Sequence, residues 1–129
     1  MIYLDTHVVV WMYAGQTARF PTAVRNLIET SNLGVSPMVG LELQYLVEIE
    51  RIAIDGEPII ADLIDRVGLQ IVDRGLHASC KEASRIGWTR DPFDRMIVAQ
   101  ASLDNANLLT KDRVIREHFD AATWPTSDR

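Results

Sequence analysis

Ile2-Tyr3-Leu4-Asp5 is the stretch whose reading decides the fold: apolar residues run directly into a carboxylate. A short apolar run of this kind predicts a buried strand that delivers a charge at its C-terminal end. The pattern recurs along the chain. Leu33-Gly34-Val35 precedes Ser36-Pro37, Leu69–Val72 precedes Asp73, and Leu108-Leu109-Thr110 precedes Asp112. Ala121–Trp124, ended by Pro125, reads as a final edge strand.

Helical signals fill the intervals. Thr6 is the expected cap of a helix reaching Gly15, and Pro21 suits the first turn of a second, with Phe20, Val24, Leu27 and Ile28 on one face. Ser36 as N-cap and Pro37 at N1 open a helix through about Arg51. After a break at Asp55-Gly56, Ile59, Ile60, Leu63, Ile64 and Val67 continue at helical spacing, and Leu76–Ile86 is predicted helical up to Gly87. Asp91-Pro92 starts a helix from Phe93 to about Leu103, apolar on most sides, and Asp112–Phe119 forms a short last one. Strands alternating with helices predict an α/β fold in three layers, a parallel sheet of four to five strands flanked by helices. Neither a repeat nor a linker interrupts residues 1–129, so a single domain is expected.

Composition narrows the function. A hydrophobic content of 47% and a charged content of 24% are those of an ordinary soluble protein. No apolar run approaches the roughly 18 residues of a membrane span. With no basic, apolar leader at Met1–Asp5 and a lone Cys80, the expected setting is cytoplasmic and reducing. The net charge of −5 argues against a protein held to nucleic acid mainly by a basic surface, though not against a nuclease. Arg85, Arg90, Arg95, Lys111, Arg113 and Arg116 gather late in the chain and read first as a solvated face.

Four acids carry the chemistry. Asp5, Glu42, Asp94 and Asp112 each fall at, or within about two turns after, the C-terminal end of a predicted strand. In an open parallel sheet those ends share one edge, where ligands bind. Two carboxylates about 5 Å apart cost roughly 3 kcal/mol at an effective dielectric of about 20. A divalent cation would offset that repulsion, and the set reads as a metal-dependent site for phosphodiester cleavage. Glu42 has Met38, Val39, Tyr45 and Leu46 at helical spacing and so lies on an inward stripe, as a ligand or paired with a cation from elsewhere. Asp94 sits at N3 of its helix, where it serves either the helix dipole or the inward cluster, and Asp91 is the better cap. Asp5 and Asp112 are open to the same capping alternative, while Asp73 is read as structural.

Other chemistries fit less well. His7, His77 and His118 lack metal-ligand spacing and read as surface or interface histidines, and Cys80 reads as a small core residue. The glycines form no phosphate-binding loop. An aspartyl phosphatase would want a second Asp two residues beyond Asp5, and that position is His7.

Leu4-Asp5-Thr6-His7, Ser36 to Glu42, Asp91-Pro92-Phe93-Asp94-Arg95 with Ile97-Val98-Ala99-Gln100-Ala101, and Leu109-Thr110-Lys111-Asp112 together resemble the PIN-domain ribonucleases. Within them the chain is most similar to VapC-type toxins of bacterial toxin–antitoxin pairs, in the subgroup with a DPFDR motif. The resemblance implies an acidic pocket binding Mg²⁺, with Mn²⁺ as the alternative, formed by Asp5, Glu42, Asp94 and Asp112. It also implies a supporting role for Asp91, hydroxyls of Thr6 and Thr110 lining the pocket, and RNA cleavage by a metal-activated water. A cognate antitoxin and a homodimer are the implied partners. A competing expectation is a catalytically weak or inactive module that binds an antitoxin-like partner through the acidic pocket, and a third is a nuclease acting on DNA or flap structures. Trp11, Tyr13 and the segments Phe20–Glu29 and Leu41–Ile54 carry apolar residues beyond one core face, which marks either core or partner surface.

Overall fold

The computed structural model describes residues 1–126. In chain order the elements are β1 (Ile2–Leu4), α1 (Thr6–Tyr13), a 3-10 turn (Thr17–Arg19), α2 (Thr22–Thr30), β2 (Leu33–Val35), α3 (Pro37–Glu48) and α4 (Gly56–Val67). They continue with β3 (Gln70–Ile71), α5 (Leu76–Ala83), α6 (Pro92–Leu103), β4 (Asn107–Leu109), α7 (Arg113–His118) and β5 (Ala122–Thr123). The strands form one five-stranded sheet in the order β3-β2-β1-β4-β5, with every pairing parallel. The expected parallel α/β sheet is therefore present, with Ala122–Thr123 at the edge as anticipated.

β1 is central. Ile2 is in register with Leu33 on one side and with Asn107 on the other. Buried on both faces, Ile2, Tyr3 and Leu4 expose 3% or less, which is why the strand is apolar without alternation. The chain builds outward through β2 and β3, then crosses back to place β4 on the opposite side of β1. That reversal opens a crevice at the carboxyl ends of β1 and β4, where Asp5 and Thr110 follow. The core around it joins Val8, Val9, Leu43, Leu63, Ile97, Leu108, Leu109 and Ile115, each at 1% exposure or less. Ile97 through Ala101 are all buried, as the apolar run in α6 predicts.

Several local expectations needed correction. Thr6 does not cap α1: Asp5 is the extended N-cap and accepts from the Thr6 N–H, which releases the Thr6 hydroxyl for other use. Pro21 precedes its helix as the N-cap residue instead of entering the first turn. Helix α3 ends at Glu48, short of Arg51, because Glu50 turns the backbone into the left-handed region at φ 62°. Cys80 is exposed and not in the core. Helix α5 buries Ser79 and Ala83, four residues apart, so the neighbouring Cys80 is rotated off the inner stripe. Gly56 starts α4 tight against α3: a Cβ there would lie 2.7 Å from Leu43 Cβ and 3.1 Å from the Gly40 carbonyl oxygen.

Candidate active site

Asp5 anchors the crevice. It is 4% exposed, with Oδ1 accepting from the Thr6 N–H at 2.8 Å and Oδ2 accepting from the Thr110 hydroxyl at 2.7 Å. Thr110 Oγ1 in turn accepts from the Asp112 N–H at 3.0 Å, and Asp112 Oδ1 caps α7 by accepting from the Ile115 N–H at 3.0 Å. The two strand ends are thus tied together by one hydroxyl. Thr110 is fully buried and braces Asp5 from behind, while the cavity wall itself lacks it.

Glu42 reaches the same place from α3. Its half-buried carboxylate accepts from the Thr6 hydroxyl, the group freed when Asp5 took over the cap. Asp94 arrives from the first turn of α6, whose cap is Asp91: Asp91 Oδ1 accepts from the Phe93 N–H at 2.8 Å and the Asp94 N–H at 3.3 Å. Asp5, Glu42, Asp91, Asp94 and Asp112 line one cavity of about 500 Å³, together with Thr6, His7, Val10, Trp11, Leu46, Arg51 and Ile52. Capping and convergence prove compatible. Asp5, Asp91 and Asp112 each cap a helix, and the N-termini of α1, α6 and α7 bring partial positive charge to the cavity.

Those dipoles do not neutralise the cluster. Burial raises Asp94 to about 8, and Asp5, Asp91, Glu42 and Asp112 all push it the same way. Burial also raises Glu42 to about 7, against the Thr6 hydrogen bond and with the charges of Asp5 and Asp91. Among the described residues none of the five carboxylates pairs with a lysine or arginine. The set of donors is all oxygen, dense and short of positive charge, which is the chemistry that suits Mg²⁺ or Mn²⁺. The acids line the wall instead of meeting at a point, and among the described residues no three acidic, histidine or cysteine side chains stand ready to grip one ion. Mg²⁺ tolerates that spread because it keeps several waters and takes one or two carboxylates.

Three wall residues escaped the reading of the sequence. His7 is half-buried. Its Nε2 accepts from the Lys111 N–H at 2.9 Å, which leaves the proton on Nδ1, 3.7 Å from Asp5 Oδ2. Burial lowers its pKa, while Asp5 and Asp112 oppose the shift. Its position two residues beyond a strand-terminal acid was the available signal. Trp11 joins His7, Phe20 and Trp124 in an aromatic cluster beside the cavity. Arg51 enters from the turn after α3. In the late basic run, Arg85 and Arg113 pair with Glu82 and Glu117, Arg90, Arg95 and Arg116 donate to backbone carbonyls, and Lys111 Nζ lies 6.0 Å from the Trp11 ring at the cavity wall.

The PIN domain family model matches residues 2–119. The ribonuclease VapC22 of Mycobacterium tuberculosis is 31% identical over 121 residues, covering 91% of both chains. Among solved structures, VapBC2 from Rickettsia felis bound to a DNA fragment from its promoter aligns with a TM-score of 0.66 at 20% identity, covering 95% of this chain and 96% of that one. A toxin–antitoxin complex from Klebsiella pneumoniae aligns at 0.67 with 13% identity and the same coverage. Match length and identity agree with the sheet order and the acidic crevice: this chain belongs to the PIN-domain family, among its VapC-type members.

Proposed function

We propose that the chain is a divalent-metal-dependent endoribonuclease, the toxin of a toxin–antitoxin pair. The observation that carries this reading is the cavity of five carboxylates with no arginine or lysine paired to any of them. Such a cluster is costly unless a hard cation enters it. The ribonuclease relative, similar over nine-tenths of both lengths, supports RNA as the substrate.

Asp5 and Asp94 would hold the ion, with Glu42 and Asp112 helping directly or through water. When bound, Mg²⁺ or Mn²⁺ would supply a water of lowered pKa and offset charge on the phosphoryl oxygens. The chain's own residues set the stage for water to add at phosphorus while one P–O ester bond breaks. Thr110 and the Thr6 N–H each donate to one oxygen of Asp5 and fix the orientation of its carboxyl group. The Thr6 hydroxyl fixes one oxygen of Glu42 and opposes the burial that raises its pKa. His7 fixes the Lys111–Asp112 turn against α1, so that Asp112 keeps its place when substrate arrives. Asp91 holds the first turn of α6 and with it the backbone of Asp94.

A protein partner belongs to the same proposal. Leu41, Tyr45, Ile49 and Ile54 are exposed on α3 and the turn after it, beside the cavity's Leu46 and Ile52. The solved relatives are complexes with antitoxins, and an apolar face of this kind fits such a partner. The deciding experiment compares purified wild type and Asp5→Asn on RNA with Mg²⁺ and with EDTA. Cleavage should require the ion and fall about 100-fold or more in the variant, with the melting temperature preserved. Metal-independent cleavage, or full activity in Asp5→Asn, would remove the reading.

A further inference from the structure

Arg51 shares a cavity with five carboxylates and pairs with none of them. It lines the cavity that holds Asp5, Glu42, Asp91, Asp94 and Asp112, yet among the described residues its guanidinium makes no ion pair, hydrogen bond or aromatic contact. Every other described arginine is engaged. Arg66, Arg74, Arg85 and Arg113 have acids, while Arg19 and Arg25 have side-chain oxygens. The remaining three, Arg90, Arg95 and Arg116, have backbone carbonyls. The exception lines the cavity of the carboxylates without reaching any of them, so its isolation comes from placement.

That placement has a backbone cause. Glu50, a non-glycine held at φ 62°, reverses the chain after α3. The N–H groups of Arg51 and Ile52 then both fold back onto the Leu46 carbonyl, at 2.8 and 3.4 Å. The turn presents Ile52 to the cavity wall and Arg51, itself exposed, beside it. Arg51 therefore sits with the apolar part of the wall, and the charges that dominate Glu42 and Asp94 are all carboxylates.

We propose that Arg51 is a substrate-positioning residue whose guanidinium takes the non-bridging oxygens of a phosphodiester adjoining the one cleaved; this rests on the ribonuclease reading above. A chain of net charge −5 offers RNA little general attraction, so the phosphates flanking the acidic floor need a cation of their own. The guanidinium fork matches two phosphate oxygens, and an unengaged arginine gives up no internal partner on binding them.

The test uses short single-stranded RNA of random sequence with Mg²⁺, bound to an Asp94→Asn chain to suppress cleavage and read by fluorescence anisotropy. Adding Arg51→Ala should weaken Kd about tenfold and reduce the slope of log Kd against log salt by about 0.7. Arg51→Lys should keep that slope and recover only part of the affinity, because it keeps the charge and loses the fork. In the otherwise active chain, Arg51→Ala should raise KM about tenfold and lower kcat less than threefold. If the active chain cleaves RNA while Arg51→Ala leaves Kd and salt slope unchanged, the assignment of Arg51 is overturned and the ribonuclease reading stands. A wild type that neither binds nor cleaves RNA overturns both.

Discussion

The two ends of β1 treat acidic side chains in opposite ways. At the N-terminal edge of the sheet, Asp104, between α6 and β4, meets the Tyr3 hydroxyl and the Arg74 guanidinium. Burial and the Asp104 carboxylate push the Tyr3 hydroxyl up to about 12, so it stays a donor at any physiological pH. At the C-terminal edge, Asp5, Glu42, Asp91, Asp94 and Asp112 share a cavity without one arginine or lysine paired among the described residues. The same strand thus shows that this fold can neutralise an acid with its own cation and, at the other end, does not. A cluster kept at a stability cost is the signature of a functional site.

The sharpest break of this comparison is a paired substitution. Asp94→Asn should cut RNA cleavage about 100-fold or more while raising the melting temperature of the metal-free protein at about pH 8. Asp104→Asn should leave cleavage near wild type and destabilise by about 2 kcal/mol, roughly 8 °C in Tm, because Tyr3 and Arg74 are left with one acceptor oxygen between them and no countercharge. Activity assays beside thermal melts decide it, and the comparison fails if the two variants show the same profile.

Proton linkage supplies the next test. Folded Asp94 keeps its proton up to about 8 against an ordinary value of 3.8, and Glu42 up to about 7 against 4.5. Between those values the native state holds protons that the unfolded chain has released, so stability falls as pH rises through 7 and 8. Metal-free protein should therefore melt several degrees lower at about pH 8.5 than at about pH 6, and Asp94→Asn should flatten that slope. Added Mg²⁺ should raise Tm more at the higher pH, where the carboxylates are ionised to receive it. The smallest effect is expected from Thr6→Val. Losing the hydroxyl that holds Glu42 should cost about 1 kcal/mol, a roughly fivefold fall in cleavage at neutral pH, with the acidic limb of the pH profile moved upward.

Much of the fold was legible because the signals are local. Apolar runs flanked by caps located all five strands, and Ser36-Pro37 and Asp91-Pro92 marked their helix starts correctly. The inward stripe of α3 singled out Glu42, and alternation alone pointed to a parallel sheet. What stayed hidden depends on distant partners or on backbone dihedrals. Nothing local says that Asp5, and not Thr6, caps α1, since either side chain suits the position and the choice follows from where Glu42 needs a donor. His7 was passed over for want of a spacing motif, although its role is a single hydrogen bond to the Lys111 backbone. Arg51 was hidden by the left-handed Glu50, which ends α3 where the sequence pattern continues it. Cys80 was misread because α5 is anchored by only two small residues, and a one-position rotation separates core from solvent.

The hydrogen bond from Thr110 to Asp5 closes a loop of 105 residues. A chain that folds as it emerges from the ribosome makes Asp5 first but cannot form this bond until Thr110, 105 residues later, has followed. Strand β4, the loop carrying Asp112 and the helix carrying Asp94 all come late in synthesis. An enzyme that cuts RNA would thereby stay unarmed until β4 and the turn after it have been made, with the timing written into the order of the strands.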